Sequence, residues 1–347
     1  MKYKPQTKDE LIDLIEKKTK FNKIDTSLIT DMSELFKDSM LRNFSGIETW
    51  DTSNVKDMSF MFFGAKSFNH DISNWNVSKV KNMSNMFCLA EKFNQPLNTW
   101  DVSKVTNMSG MFCNAVNFNS NINNWNVSKV INMEYMFCGC KLFNQPLNNW
   151  DTSNVENMSC MFFETENFNF PLNSWNVGNV IKMYSMFENA YNFNQPLDKW
   201  DTSNVLYMIR MFFNAKSFNQ DIGSWNVFSA ISMSYMFSGA ESFDQSIENW
   251  TINKSCDIKD IFSSSYNDMK SILKIYFIAK GNYKKQLLSM LENCDIKEVY
   301  KEVLKYNKLK DFVKKLENVY YEELKELIEN KENILKEYKQ NSKNKMI

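Results

Sequence analysis

Histidine is almost missing: His70 is the only one in 347 residues. Imidazole is the commonest general base and metal ligand near neutral pH, so chemistry built on it has little foothold. No G-x-S-x-G, P-loop, G-x-G-x-x-G or H-E-x-x-H spacing occurs, which removes the usual signatures of hydrolase, nucleotide and zinc-protease sites. There is no run of 18 or more apolar residues, so no membrane-spanning helix is expected. The start, Met1-Lys-Tyr-Lys-Pro5, leads into a charged helix without an apolar h-region. No signal peptide is therefore expected, and the expected location is cytoplasmic, with the cell surface or secretion as the alternative. The cysteines number seven, an odd count that argues against a disulfide framework and for a reducing compartment.

Net charge is also absent, but its distribution is uneven. Residues 24–255 carry 15 basic and 22 acidic side chains, whereas the chain after 255 carries 19 basic and 15 acidic ones. An acidic middle lacks the basic footprint that nucleic acid requires, so no nucleic-acid partner is expected.

Tryptophan is what the chain has, at a fixed interval. The nine stand at Trp50, Trp75, Trp100, Trp125, Trp150, Trp175, Trp200, Trp225 and Trp250, always 25 residues apart. A period of this size marks stacked repeats, each too small to bury its own apolar face. Two methionine columns, Met32 to Met233 and Met61 to Met236, hold 17 of the 22 methionines. Their richness is thus one pattern copied, which favours core filling over a copper-binding cluster. Val105, Met108, Met111, Phe112 and Ala115 recur at three- and four-residue steps, which predicts a short helix. Leu97-x-x-Trp100-x-Val102 has the spacing of a leucine-rich repeat and predicts a short strand, paired in parallel with its copies.

The expected fold is an α/β repeat solenoid, with leucine-rich-repeat-like parallel strands and short helices, followed by a small all-α C-terminal region. Residues 1–23 form an N-terminal cap, opened by the capping box Thr7-Lys-Asp-Glu10 and a helix from Lys8 to about Lys20. The repeats occupy residues 24–265, the first carrying one extra residue around Asp38–Arg42. Residues 266–347 form a helical cap or domain, the first helix of which packs on the last repeat.

Two surfaces are candidates for binding. The residue after each tryptophan alternates between acid and amide: Asp51, Asn76, Asp101, Asn126, Asp151, Asn176, Asp201 and Asn226. On the strand reading these lie on a concave face, where alternation keeps like charges two rungs apart. Calcium is a weaker reading, since each repeat offers one carboxylate and no EF-hand loop exists. The second surface is the helix exterior, with Phe60, Phe63, Tyr135, Phe163, Phe213 and Tyr235 as a partner stripe. Cys88, Cys113 and Cys138 share that stripe, but no C-x-x-C pair supports a metal site there. The Asn69 to Asn219 column is read as structural rather than glycan-binding. No metal or cofactor is expected.

The repeated Trp-[Asp/Asn]-[Val/Thr]-Ser-x-Val-x-x-Met-x-x-Met-Phe-x-x-Ala-x-x-Phe-Asn, from Trp50-Asp-Thr-Ser-Asn-Val55 onward, resembles the BspA-like leucine-rich repeats of bacterial surface proteins. The resemblance covers about residues 24–262. It implies a non-enzymatic protein-interaction module, with a surface adhesin or host-interaction protein exported by an unconventional route as the alternative. It carries no catalytic residue over, and the expected partner is a protein.

Overall fold

A computed structural model describes residues 2–262 apart from 246 and 248. The helices expected after residue 265, and the packing of the first of them on the last repeat, lie outside the described residues. Among the described residues no helix is long and apolar enough to cross a membrane.

Helix α1 spans Lys8–Glu16. The Thr7 side chain caps it by accepting the Glu10 N–H at 3.2 Å, and Glu10 returns a carboxylate to the Gln6 N–H at 2.7 Å. The helix stops four residues short of Lys20, because Lys18 adopts a left-handed φ of 57°. Only Leu11 is buried from its apolar face. Ahead of the helix, Tyr3 forms a parallel bridge with Ile24, so the first repeat is paired on both sides.

From there each 25-residue unit stacks in register on the one before. Ten residues, Asp31, Asp57, Asn82, Asn107, Asn132, Asn157, Lys182, Tyr207, Ser232 and Asp257, are joined by parallel bridges along the stack. After the bridge residue the backbone alternates between two kinds of bond. The N–H groups of Met58, Phe60, Phe62 and Gly64 donate to Asn82, Ser84, Met86 and Cys88 of the next unit, at 2.8–3.0 Å. Those of Met61, Phe63 and Ala65 turn back to Met58, Phe60 and Phe62 of their own unit.

This alternation rules out the short helix expected over the Met-x-x-Met-Phe stretch, since helical N–H groups all bond four residues back. The three-residue step between apolar positions comes from successive tight turns, each of which ends on an inward side chain. Two columns of residues carry positive φ to make this possible. One runs from Glu34 and Phe60 to Asp260 with φ of 51–61°, the other from Asp38 and Gly64 to Gly239. Neither column contains Val, Ile or Thr, for which a left-handed backbone is most strained.

The strand expected at Leu97–Val102 is likewise a pair of turns, with Trp100 N–H bonded to Leu97 O and Val105 N–H to Val102 O. The parallel pairing sits further on, at Asn107. The Leu-x-x-Trp-x-Val spacing therefore reports corners rather than a pleat. In the first unit the expected extra residue resolves into two. Phe36 and Phe44 are two residues further apart than Phe62 and Phe68, and one residue is lost between Phe44 and Ile47. Gly46 makes that shortened corner with φ of 101°; a Cβ there would lie 2.6 Å from the Asn22 nitrogen.

The core is a set of ladders. Phe62, Phe87, Phe112 and their copies stack at 5.5–5.8 Å with planes within 14°. The tryptophans are 2–4 % exposed and point inward. Each indole from Trp75 on donates to the carbonyl 28 residues earlier, Ile47 to Ile222, at 2.8–3.2 Å. Trp50 reaches Phe21 O instead, at 3.1 Å, so the segment after α1 stands in for a preceding unit.

Trp125→Ala removes a buried ring and the indole bond to Leu97 O at 2.8 Å, leaving that carbonyl with the Trp100 N–H alone. We expect a loss of about 3–5 kcal/mol, with Trp125→Phe intermediate because it restores the ring but not the N–H. Equal urea midpoints for Trp125→Ala and the parent would contradict the inward placement.

Candidate functional site

The acid-and-amide column follows directly from the turn structure. Asp51, Asn76, Asp101, Asn126, Asp151, Asn176, Asp201 and Asn226 are all exposed and aligned along the stack. Each side-chain oxygen accepts the backbone N–H two residues on, at 2.9–3.1 Å. Aspartate and asparagine are interchangeable here because both offer that oxygen. One acceptor oxygen of each side chain is thus already engaged. Hydrogen bonds from the Ser103 and Ser203 side chains, with their backbone N–H groups, hold the Asp101 and Asp201 carboxyls below the ordinary value of 3.8.

The Asn column from Asn69 to Asn219 has a comparable task. Each side-chain oxygen accepts a backbone N–H of the next unit, at 2.8–3.1 Å. The donors are backbone N–H groups rather than the stacked Asn amides, joined in several units by a Gln amide such as Gln95 Nε2 on Asn69 Oδ1 at 2.9 Å.

The aromatic stripe is divided rather than continuous. Phe60, Tyr135 and Tyr235 occupy the first positive-φ column, with Phe63, Phe163 and Phe213 in the column three residues on. Tyr135 is 39 % exposed and the other five are half-buried. Phe60 and Phe63 pair at 5.6 Å near the start of the stack, with the Lys37 ammonium 5.6 Å from the Phe60 ring. Further along, Phe213 and Tyr235 flank a cation: the Arg210 guanidinium lies 4.7 Å from the first ring and 5.6 Å from the second.

Arg210 is held from below. Its Nη1 reaches Glu188 Oε1 at 3.3 Å, and the other carboxylate oxygen accepts the Ser185 hydroxyl at 2.6 Å. The Glu188 side chain is 7 % exposed and that of Arg210 46 %. A neighbouring network joins three units: Tyr184 OH donates to Glu134 Oε1 at 2.9 Å and Asn157 Nδ2 to Oε2 at 3.1 Å. Burial, with the hydrogen bonds to Tyr135 and the Glu134 carboxylate, pushes the Tyr184 hydroxyl well up, so it stays a donor. Burial also pushes the Cys160 thiol up to about 11. Among the described residues no group of three or more His, Cys, Asp or Glu side chains is arranged to hold a metal ion.

Glu134, Tyr184, Glu188 and Arg210 are not among the residues singled out by the repeat columns. Their signal is departure from a column. Glu134 stands where Ser59, Ser84, Ser109, Ser159 and Ser234 stand in other units, and Glu188 where Phe63, Phe163 and Phe213 do. In the same units Ile181, Leu206 and Ile231 follow one another in register, with Leu206 N–H bonded to Ile181 O and Ile231 N–H to Leu206 O. Ile181 and Ile231 are exposed.

Residues 9–115, 96–196 and 172–275 match, in three overlapping stretches, the family described as Mycoplasma protein of unknown function, DUF285. The chain belongs to this family. No curated protein and no solved structure matches it. Each DUF285 stretch is just over four 25-residue units long, so what the family shares with this chain is the repeat itself. The departures at Glu134, Glu188 and Arg210 are superimposed on that shared pattern.

Two outcomes test these assignments. The Asp101 carboxyl has a lowered pKa when folded. Its contribution is therefore fully present above the unfolded value and is lost as pH falls through the folded one. Asp101→Asn keeps the acceptor and should match the parent within about 0.5 kcal/mol at pH 7, with a flatter loss of melting temperature below pH 3.8. Parallel acid profiles would show that the carboxylate charge contributes nothing to the turn. For the ion pair, Arg210→Ala should cost about 1–3 kcal/mol by leaving a buried carboxylate short of a donor. Adding Glu188→Gln should recover part of that loss, a coupling that a double-mutant cycle measures.

Proposed function

We propose that this DUF285 chain is a non-enzymatic protein-interaction module, a solenoid of the leucine-rich-repeat type in which the stack is scaffold and the partner contacts its irregular side. The ten parallel bridges support the solenoid reading. The repeats nevertheless build their sides from turns, where a leucine-rich repeat has helices or pleated strands.

The observation that carries the binding assignment is Arg210, fixed over buried Glu188 and flanked by Phe213 and Tyr235. Arginine and tyrosine are the residue types that dominate binding energy at protein interfaces, and pre-ordering them lowers the entropy lost on association. The acid-and-amide column is less suited, since one oxygen of each residue already accepts a backbone bond and the column lacks such anchors. The acidic balance of residues 24–255 favours a protein partner over a nucleic acid. The BspA-like resemblance of the units also fits a surface adhesin, and protease shaving of intact cells separates that reading from a cytoplasmic scaffold.

The test is a binding comparison on Mycoplasma lysate followed by titration of the captured protein. Phe213→Ala with Tyr235→Ala should weaken the titrated affinity at least about tenfold, or about 1.4 kcal/mol. Asp101→Ala, on the other column, should bind as the parent does. The reverse order of effects would move the interface to the acid-and-amide column.

A further inference from the structure

Cys88, Cys113 and Cys138 occupy one column in three successive units. The inter-unit backbone bonds run directly beside them: Leu89 N–H donates to Cys113 O at 2.7 Å, and Asn114 N–H to Cys138 O at 2.6 Å. In-register neighbours of a parallel pair lie about 4.8 Å apart, inside the Cα separation of about 4.4–6.8 Å that a disulfide spans. The Cys113 sulfur lies within interaction range of both neighbours, Cys138 and Cys88.

The three are not equivalent. Cys88 and Cys138 are buried, whereas Cys113 between them is half-exposed. Asn114 Nδ2 donates to Cys113 Sγ at 3.4 Å, a contact that favours the thiolate. The neighbouring thiols and the Asn114 amide hold Cys113 below its ordinary value of 9.0, while the outer two are raised by their proximity to it and by burial. The accessible thiol is thus also the one that carries the Asn114 contact, with a cysteine on each side of it in the column. Cys140 is engaged differently, fully buried with its Sγ on Phe112 O at 2.8 Å.

We propose that Cys113 is an oxidation site that closes a disulfide to Cys88 or Cys138 of the adjoining unit, with hydrogen peroxide as oxidant. The Cys113 thiolate attacks one peroxide oxygen; the S–O bond forms, the O–O bond breaks, and the other oxygen leaves as water after taking up a proton. The Cys88 or Cys138 sulfur then attacks the Cys113 sulfenic acid. The S–S bond forms, the S–O bond breaks, and the hydroxyl leaves with the attacking thiol's proton as a second water. Two thiols and one peroxide give one disulfide and two waters. The third thiol remains reduced and can exchange the bridge from one side of Cys113 to the other.

The full-length chain, treated with one equivalent of hydrogen peroxide and then alkylated after denaturation, tests this. Free thiols should fall from seven to five, with peptide maps showing Cys88–Cys113 and Cys113–Cys138 links that dithiothreitol reverses. Cys113→Ser should abolish both links, and Cys88→Ser or Cys138→Ser should each leave one, with tryptophan fluorescence confirming that the variants fold. If a variant does not fold, the peptide map of the parent decides alone. Seven unchanged thiols, links between chains, or Cys113 recovered only as sulfinic or sulfonic acid would overturn the proposal.

Discussion

Between the bridge residue and the second positive-φ residue of a unit, every second backbone N–H has its acceptor in the next unit. A single unit therefore leaves polar groups unpaired however well its side chains pack, and the penalty falls on it until a neighbour arrives. The need for a strict period follows from this. One inserted residue shifts the chain out of the ladder, so the register holds at 25 residues from Trp50 to Trp250, and the first unit absorbs its irregularity in the exposed loop around Met40. The same need explains the start of the stack, where Tyr3 pairs with Ile24 and Phe21 O receives the Trp50 indole.

The ladder also dictates which side chains the columns tolerate. Corners that turn every three residues require left-handed residues, which removes β-branched side chains from two columns. They also leave N–H groups at the corners that point at no carbonyl. Asp and Asn supply the missing acceptor at the Asp51 and Asp57 positions, and the Ser found two residues later in most units can add its hydroxyl to the backbone N–H on that oxygen, as Ser59 does on Asp57. Much of the polar surface is thereby structural. A side chain engaged in holding the backbone has one acceptor fewer for a ligand, and this holds along the whole exposed acid-and-amide row.

Function is better sought where the columns are broken. A repeat with no other task would carry Ser at 134 and an apolar residue at 188. The chain carries glutamates there, buries the second almost completely, and sets an arginine over it. Such a pair costs desolvation and is weak evidence for stability. Its effect is to fix a guanidinium between two aromatic faces. The cysteine column is a break of another kind: three thiols in succession where other units place aromatic rings, glutamate or serine.

The sequence by itself determined the period, the stacking and the inward set. A 25-residue interval between tryptophans, with methionine and phenylalanine at fixed offsets, has no solution but in-register packing, and all of those side chains are buried. It did not determine the path of the backbone between them. Inward residues three and four apart suit a helix and a run of tight turns equally, and the choice rests on where the N–H groups bond, which is a contact between units 25 residues apart. The aromatic stripe was legible: Phe213 and Tyr235 repeat the aromatic residues Phe63, Phe163, Phe60 and Tyr135 of other units. Arg210, Glu188, Glu134 and Tyr184 were legible only as departures from their columns, because their contacts exist only across units. The Tyr184 hydroxyl meets Glu134 from 50 residues away, and only the stacking of three turns brings the two within hydrogen-bond reach.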